Sequence, residues 1–355
     1  MRRIRTVNKF LMFLYGVLAL CITVFIFGLL FIPSQSQQFE NTISNCSGQK
    51  IQDVANLPQL PIVYFGGSTT FAPLNKPVDK PGMIATIQKA HPQFLLEYVD
   101  PAKHGETPGS GTGIKWLIKR DRNLSFAQSS RPLNDKEIED ANRIRMKLKQ
   151  QEIAYDIIAI YVNPQLIEQG LQGLSLAQVR DIFTRNIKNW KDVGGPDVKI
   201  APFRRNSADS GTVDFFKKNV MKKQEFGSNV APIGQKREPE EQITTLAIRK
   251  VASTPGGISF ATASEVINQE MIRILPIAKE DTPTKFVSPC AEKNCKAVDT
   301  NLIAKQSYPT EFYRKLYVII KQDGGQDEKA GEAYANMLKS CEGKQLVKQA
   351  GFVPL

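Results

Sequence analysis

The chain has 355 residues, 41% of them apolar and 23% charged, with a formal net charge of +12. Those are globular values, and the length supplies a core for two domains or lobes. The positive charge asks for an anionic partner or surface. Nucleic acid is set aside, because Lys and Arg are spread along the sequence and no zinc-finger or RNP-type aromatic motif appears.

The basic stretch Met1 to Lys9 precedes an uncharged apolar run from Phe10 to Ile32. About 20 such residues span a bilayer, and a cleaved signal peptide has a shorter run and a small-residue cleavage site. The expectation is an uncleaved transmembrane anchor over 10–32, with the tail 1–9 in the cytoplasm and the rest outside. A long signal peptide is the alternative. Residues 33–57, rich in Ser, Gln and Asn, read as a flexible stalk. Outside the apolar run lie Cys46, Cys290, Cys295 and Cys341, an even number in a compartment that permits disulfides. A Cys290–Cys295 loop with Cys46 tied to Cys341 is preferred among three pairings, and free or partly paired thiols remain open.

The globular part opens with a buried strand, Leu60 to Phe65, that stops at Gly66-Gly67. Met83 to Ala90 reads as a helix and Phe94 to Val99 as a strand. Ile114 to Ile118 has helical spacing, and Leu124 to Ala127 reads as a strand ending at Ser129-Ser130. Asn134 opens a polar helix to about Gln150. Tyr155 to Val162 is the strongest strand signal in the chain. Leu176 to Phe183 is a helix capped by Ser175. Lys199 to Phe203 is a strand feeding an arginine loop and a helix from about Thr212 to Asn219. Ile258 to Phe260 and Leu316 to Ile320 are strands, and Ala330 to Gln349 closes the chain as a helix. This alternation argues for an α/β architecture with mostly parallel sheets.

Four small-residue loops punctuate these elements. They are Gly66-Gly67-Ser68-Thr69-Thr70-Phe71, Gly109-Ser110-Gly111-Thr112-Gly113, Ser129-Ser130-Arg131-Pro132, and Arg205-Asn206-Ser207-Ala208-Asp209-Ser210-Gly211-Thr212. Singly, each has an ordinary role as a turn or helix cap. Together they fall at strand ends, where open α/β sheets bind ligands. Short hydroxyls and free backbone N–H groups suit a compact oxyanion, and arginine adds a fixed, forked charge. The expectation is a site gripping one small tetrahedral anion.

Catalytic motifs are missing. No GxSxG, HExxH or GxxxxGK[ST] sequence occurs, and His91 and His104 have no partner at metal-ligand spacing. Asp209 and Glu106 form no paired acid/base set. No catalytic residue, metal or cofactor is expected.

The loops in this order resemble the extracytoplasmic phosphate-binding proteins of ABC phosphate importers, in the type II periplasmic-binding-protein superfamily. The likeness runs from about residue 60 to 355. It is carried by Gly67 to Leu74, Gly109 to Ile114, Ser129 to Leu133, Leu176 to Phe183 with Ile187 to Trp190, Arg205 with Ser210-Gly211-Thr212, and Thr254 to Phe260. The resemblance implies an α/β, two-lobe fold of the Venus-flytrap kind behind the N-terminal transmembrane helix. Lobe 1 would take 58–157 and 258–355, and lobe 2 would take 158–257. It implies phosphate contacts from Ser68, Thr69, Thr70, Phe71, Ser110, Ser130, Arg131, Arg205, Ser210, Gly211 and Thr212. It implies inorganic phosphate and permease subunits as partners, and no reaction. Two departures stand out. Many members carry an aspartate where this chain has Ser130, which leaves phosphate-over-sulfate selectivity open or passes it to a group such as Asp209. The Arg205-to-Ser210 spacing is one residue longer than a common form, which leaves Arg204 as an alternative ligand. A sensor signalling to a membrane partner and a serine phosphatase are the competing functional readings.

Overall fold

The computed structural model describes residues 46–76, 82–206, 211–234, 240–292 and 294–355, of which Ser47–Leu355 form one unit. The expected tail, the anchor over 10–32 and the first half of the stalk lie outside the described residues. Among the described residues no helix is long and apolar enough to cross a membrane. The second half of the expected stalk is packed rather than free. Ile51 and Val54, three apart, are buried, the Gln49 carbonyl accepts from Cys341 N at 2.8 Å, and Ile51 N donates to Glu342 Oε2 at 2.9 Å.

The apolar run before Gly66-Gly67 forms β1 (Val63–Gly67). Strands β2 (Leu96–Tyr98) and β3 (Leu124–Ser129) flank it in parallel. The links between them carry α1 (Met83–Ala90) and α2 (Ser110–Lys119). After β3 comes α3 (Asp135–Arg143), started by a reciprocal Asn134/Glu137 cap. The polar helix expected to reach Gln150 stops at Arg143, because β4 (Lys147–Val162) begins there. Its first residues are exposed or half-buried and pair antiparallel with β11 (Tyr313–Gln322). Sheet pairing has overridden the helix preference of a Lys- and Gln-rich stretch.

Strand β4 is shared by two halves of the molecule. Lys147 to Ile157 pair with β11, and Ile158 to Val162 pair with β8 (Gly257–Thr262). Beyond β8 lie β6 (Ala201–Arg205) and β7 (Ala231–Ile233), both parallel additions. The order is β2-β1-β3-β11-β4-β8-β6-β7, with β9 (Arg273–Ile274) and β12 (Val353–Pro354) also on β4, while β5 (Leu174–Ser175) pairs separately with β10 (Ile277–Ala278). The sheet is thus mixed rather than mostly parallel, with its antiparallel pairs in the middle.

Around the second half lie α4 (Leu176–Thr184), capped by Ser175 as expected, α5 (Gly211–Phe215) and α6 (Glu240–Ser253). The closing helix is two helices, α7 (Gln326–Lys339) and α8 (Cys341–Gln349). They part at Ser340, whose backbone is extended and whose hydroxyl accepts from Gly343 N at 3.0 Å. One core gathers Ile114, Trp116, Leu117 and Leu124 on the first half. The other runs from Ile157 through Trp190, Phe216 and Phe260 to Phe312. Residues 258–312, expected with the first lobe, therefore pack with the second, and the chain returns to the first sheet at Tyr313. The expected Cys290–Cys295 disulfide is present, and Cys46 and Cys341 are each disulfide-bonded.

One close approach sets the geometry of the first half. A β-carbon on Gly113 of α2 would stand 2.4 Å from Gly67 Cα. Gly67 has a φ of +120° and is itself pressed against the Gln128 carbonyl. Gly113→Ala is expected to destabilise the protein by about 1–3 kcal/mol, since backbone rather than a movable side chain must yield. Urea unfolding of the variant against the parent measures it.

Candidate functional site

The first loop leaves β1 at Gly67 and turns at once. Ser68 N donates to the Gln128 carbonyl at 2.9 Å, which pins the turn to the end of β3. Ser68 then caps the single helical turn Thr69–Phe71 through Thr70 N, at 3.3 Å. The second loop starts α2 at Ser110, whose Oγ accepts from Ser130 N at 3.1 Å. The third loop leaves β3 beside the first, because β1 and β3 are parallel neighbours whose ends lie together.

These three loops meet at one atom. Ser68 Oγ donates to Ser130 Oγ at 3.0 Å, and Ser110 Oγ lies 3.4 Å from the same oxygen. All three serines are buried. The fourth loop comes from the other half of the molecule, and a β-carbon on Gly211 would stand 3.7 Å from Ser130 Oγ. A cavity of about 780 Å³ opens here, with Ser110, Ser130, Gly211 and Phe215 among its walls. Thr70, Phe71 and Thr212 are buried beside it in sequence, and Thr69 is half-buried. Ser210 and Asp209 lie outside the described residues.

The arginines separate into different roles. Arg131 does not face this meeting point with a free fork. Its two Nη atoms hold the Glu137 carboxylate at 2.8 and 2.7 Å, and Glu137 raises its already high pKa. Arg205 is buried, donating to Thr244 Oγ1 at 2.9 Å and facing Glu265 at 3.7 Å. Arg204 turns the other way, with its guanidinium 5.2 Å from the Phe226 ring. Glu106, near the second loop, is bound to Lys115 and Trp116, and the Lys115 hydrogen bond foremost holds its carboxyl below the usual range.

One arginine escaped the sequence reading. Arg314, near the start of β11, is buried and donates through Nε to Asp156 Oδ2 at 2.7 Å and through Nη2 to Thr70 Oγ1 at 2.8 Å. It also lines the cavity. Asp156 is fully buried and accepts as well from the Thr262 hydroxyl. Burial pushes its carboxyl up, while Arg314 first and then Thr262 pull against that. No local signal marks this cluster, since its members are far apart in the chain.

A family model described as the PBP superfamily domain matches residues 55–340. The chain belongs to this family. The two-half α/β sheet with a shared central strand is the PBP fold as it occurs here. Among curated proteins the chain is similar to "Phosphate-binding protein PstS" of Staphylococcus aureus, with 24% identity over 290 residues, covering 81% of this chain and 76% of that protein. Among solved structures it is similar to a putative phosphate ABC transporter substrate-binding protein with bound phosphate from Clostridium perfringens, with 20% identity and a TM-score of 0.58, covering 83% of this chain and 99% of that one. An ABC-type phosphate transport receptor from Vibrio cholerae matches at 21% identity and a TM-score of 0.57, covering 82% and 99%. At such identities the structures speak for the shared fold alone.

The fork between Arg131 and Glu137 makes a specific expectation. Arg131→Ala should lower stability by about 1 kcal/mol or less, as for other partly exposed ion pairs, and should leave oxyanion affinity within about twofold, because the pair already occupies both Nη atoms. Thermal unfolding and calorimetric titration of the variant measure the two effects.

Proposed function

We propose that this protein captures inorganic phosphate between its two lobes, without chemistry, and delivers it to the permease subunits of an ABC importer. The observation that carries the reading is the meeting of three chain-distant hydroxyls at Ser130 Oγ, opposite Gly211 of the other lobe. Lobe 1 is taken as residues up to 157 together with 313–355, and lobe 2 as 158–312, following the change of partner along β4 and the start of β11. The protein works outside the cytoplasm, tethered by the helix over 10–32.

A tetrahedral anion must lose its water shell to enter such a place, and the site must return as many hydrogen bonds as it removes. The ligand is held by Ser68, Thr69, Thr70, Phe71, Ser110 and Ser130 from lobe 1, and by Arg205, Ser210, Gly211 and Thr212 from lobe 2. Arg205 is favoured over Arg204, whose guanidinium lies against the Phe226 ring. Arg131 stays in the outer wall, bound to Glu137. Lobe closure excludes water and strengthens each remaining hydrogen bond. The phosphate-binding name of the similar curated protein points the same way.

Calorimetry on the purified full-length chain decides between this reading and its absence. Phosphate should bind at micromolar concentrations, and silence at those concentrations removes the reading. Arg205→Ala should weaken binding at least tenfold, because a hydrogen bond to a charged group contributes about 1.5–3 kcal/mol. Equal affinity would move the cation elsewhere.

Selectivity is tested at residue 130. A carboxylate there accepts the proton that phosphate carries and sulfate lacks. Ser130→Asp should therefore raise the ratio of phosphate to sulfate affinity at neutral pH. Competition between the two anions reads the ratio directly, and an unchanged ratio places the discrimination at another residue.

A further inference from the structure

We infer that Arg314 is an anion-binding residue of the cleft, held ready by Asp156 on the strand that joins the lobes. The inference rests on the phosphate reading above and adds to it a ligand that the loops do not contain.

The argument starts from what a buried arginine needs. Its five N–H donors lose water on burial, and nearly all buried donors in folded proteins find acceptors. Arg314 is 3% exposed. Nε goes to Asp156 and Nη2 to Thr70, while Nη1 has no hydrogen-bond partner among the described residues. Arginine–carboxylate pairs are frequently bidentate, with two parallel N–H groups on both carboxylate oxygens. Here that fork is not made. Asp156 Oδ1 is taken by the Thr262 hydroxyl, so Asp156 grips Arg314 by Nε alone and leaves the outer end of the guanidinium to other acceptors.

That outer end stands at the site. Arg314 lines the same cavity as Ser110, Ser130 and Gly211, and its guanidinium lies 5.9 Å from the ring of Phe215 on the opposite lobe. Its contact with Thr70 has a second effect. Nη2 donates to Thr70 Oγ1, so the threonine hydroxyl keeps its own hydrogen for another acceptor. One guanidinium thus supplies a direct charged donor and turns a neutral one toward the ligand. The chemical class that satisfies Nη1, the Thr70 hydroxyl and the serine cluster together is a tetrahedral oxyanion. Asp156 is a positioning residue in this scheme and touches no ligand.

The test is titration of the full-length wild-type, Arg314→Gln and Arg314→Lys chains with inorganic phosphate, with circular dichroism on each to establish the fold. Wild-type binding with at least tenfold weaker binding by folded Arg314→Gln, and an intermediate loss for Arg314→Lys, supports the assignment. A folded Arg314→Gln chain that binds within twofold of wild type overturns it and leaves the phosphate reading intact. A wild-type chain that binds no phosphate overturns both. A crystal structure of the wild-type chain with phosphate serves where the variants do not fold. Nη1 of Arg314 at about 2.7–3.2 Å from a phosphate oxygen supports the role, and a phosphate bound out of its reach overturns it.

Discussion

Two buried charges on adjacent antiparallel strands hold the centre of this molecule. Asp156 and Arg314 are direct partners across β4 and β11, at the place where the chain passes between its halves. Removing both from water costs several kcal/mol per ion, and their attraction offsets that only with good geometry and further hydrogen bonds. The pair is therefore a poor source of net stability and a strong constraint on register. A slip of one residue along β11 sends Arg314 to the other face of the sheet and leaves Asp156 charged and alone. The remaining acceptor and donor capacity ties in Thr262 from β8 and Thr70 from the first loop. A chain of polar contacts thus runs from one half, through the crossing strands, into the other.

The small residues of the loops follow from this frame. The ends of β1 and β3 lie side by side, and α2 must begin against both. Gly67 and Gly113 allow the approach, since side chains at either position collide with backbone. Serine is the smallest residue that brings a hydroxyl to such a junction. Ser68, Ser110 and Ser130 consequently bond one another as well as the backbone. With Ser68 donating into Ser130 Oγ, the hydrogen of Ser130 is left to Ser110 or to a ligand. The hydroxyls are oriented before anything binds, which reduces the entropic cost of association.

The convergence of the loops was legible because composition and position coincide. Each is rich in small residues, three of them leave strand ends and one opens a helix, and open α/β sheets gather such positions. Arg314 was not legible for the opposite reason. It sits in Tyr313-Arg314-Lys315-Leu316, which reads as a strand entry, and Thr70 is 244 positions away. Arg131 drew attention by standing next to Ser130, and it lines the same cavity, with Glu137, six residues on, holding both of its Nη atoms. Adjacency in sequence shows neither the partner of Arg131 nor the place of Arg314. The same holds for Lys147 to Gln150, where a polar stretch continues a helix by local preference and becomes a strand because β11 lies waiting beside it. The lobe boundary is equally hard to read. Nothing between Ile258 and Phe312 announces which core will receive it, and Trp190, Phe216 and Phe260 settle it only by packing together.

Charge does different work at two distances. The chain carries +12 overall, yet three of the arginines considered for the site have a carboxylate beside them: Arg131 with Glu137, Arg205 with Glu265, Arg314 with Asp156. The local balance is close to neutral, so attraction of an anion at the cleft rests on donor direction rather than on excess positive charge. Dispersed surface charge raises the encounter rate and is screened beyond about 8–10 Å at ordinary ionic strength. Contacts made in a closed, water-poor cleft are screened far less. Salt therefore acts on how fast an anion arrives. In the proposed site, how long it stays depends on the aim of a few hydroxyls and guanidinium N–H groups, and the carboxylates beside those arginines set that aim.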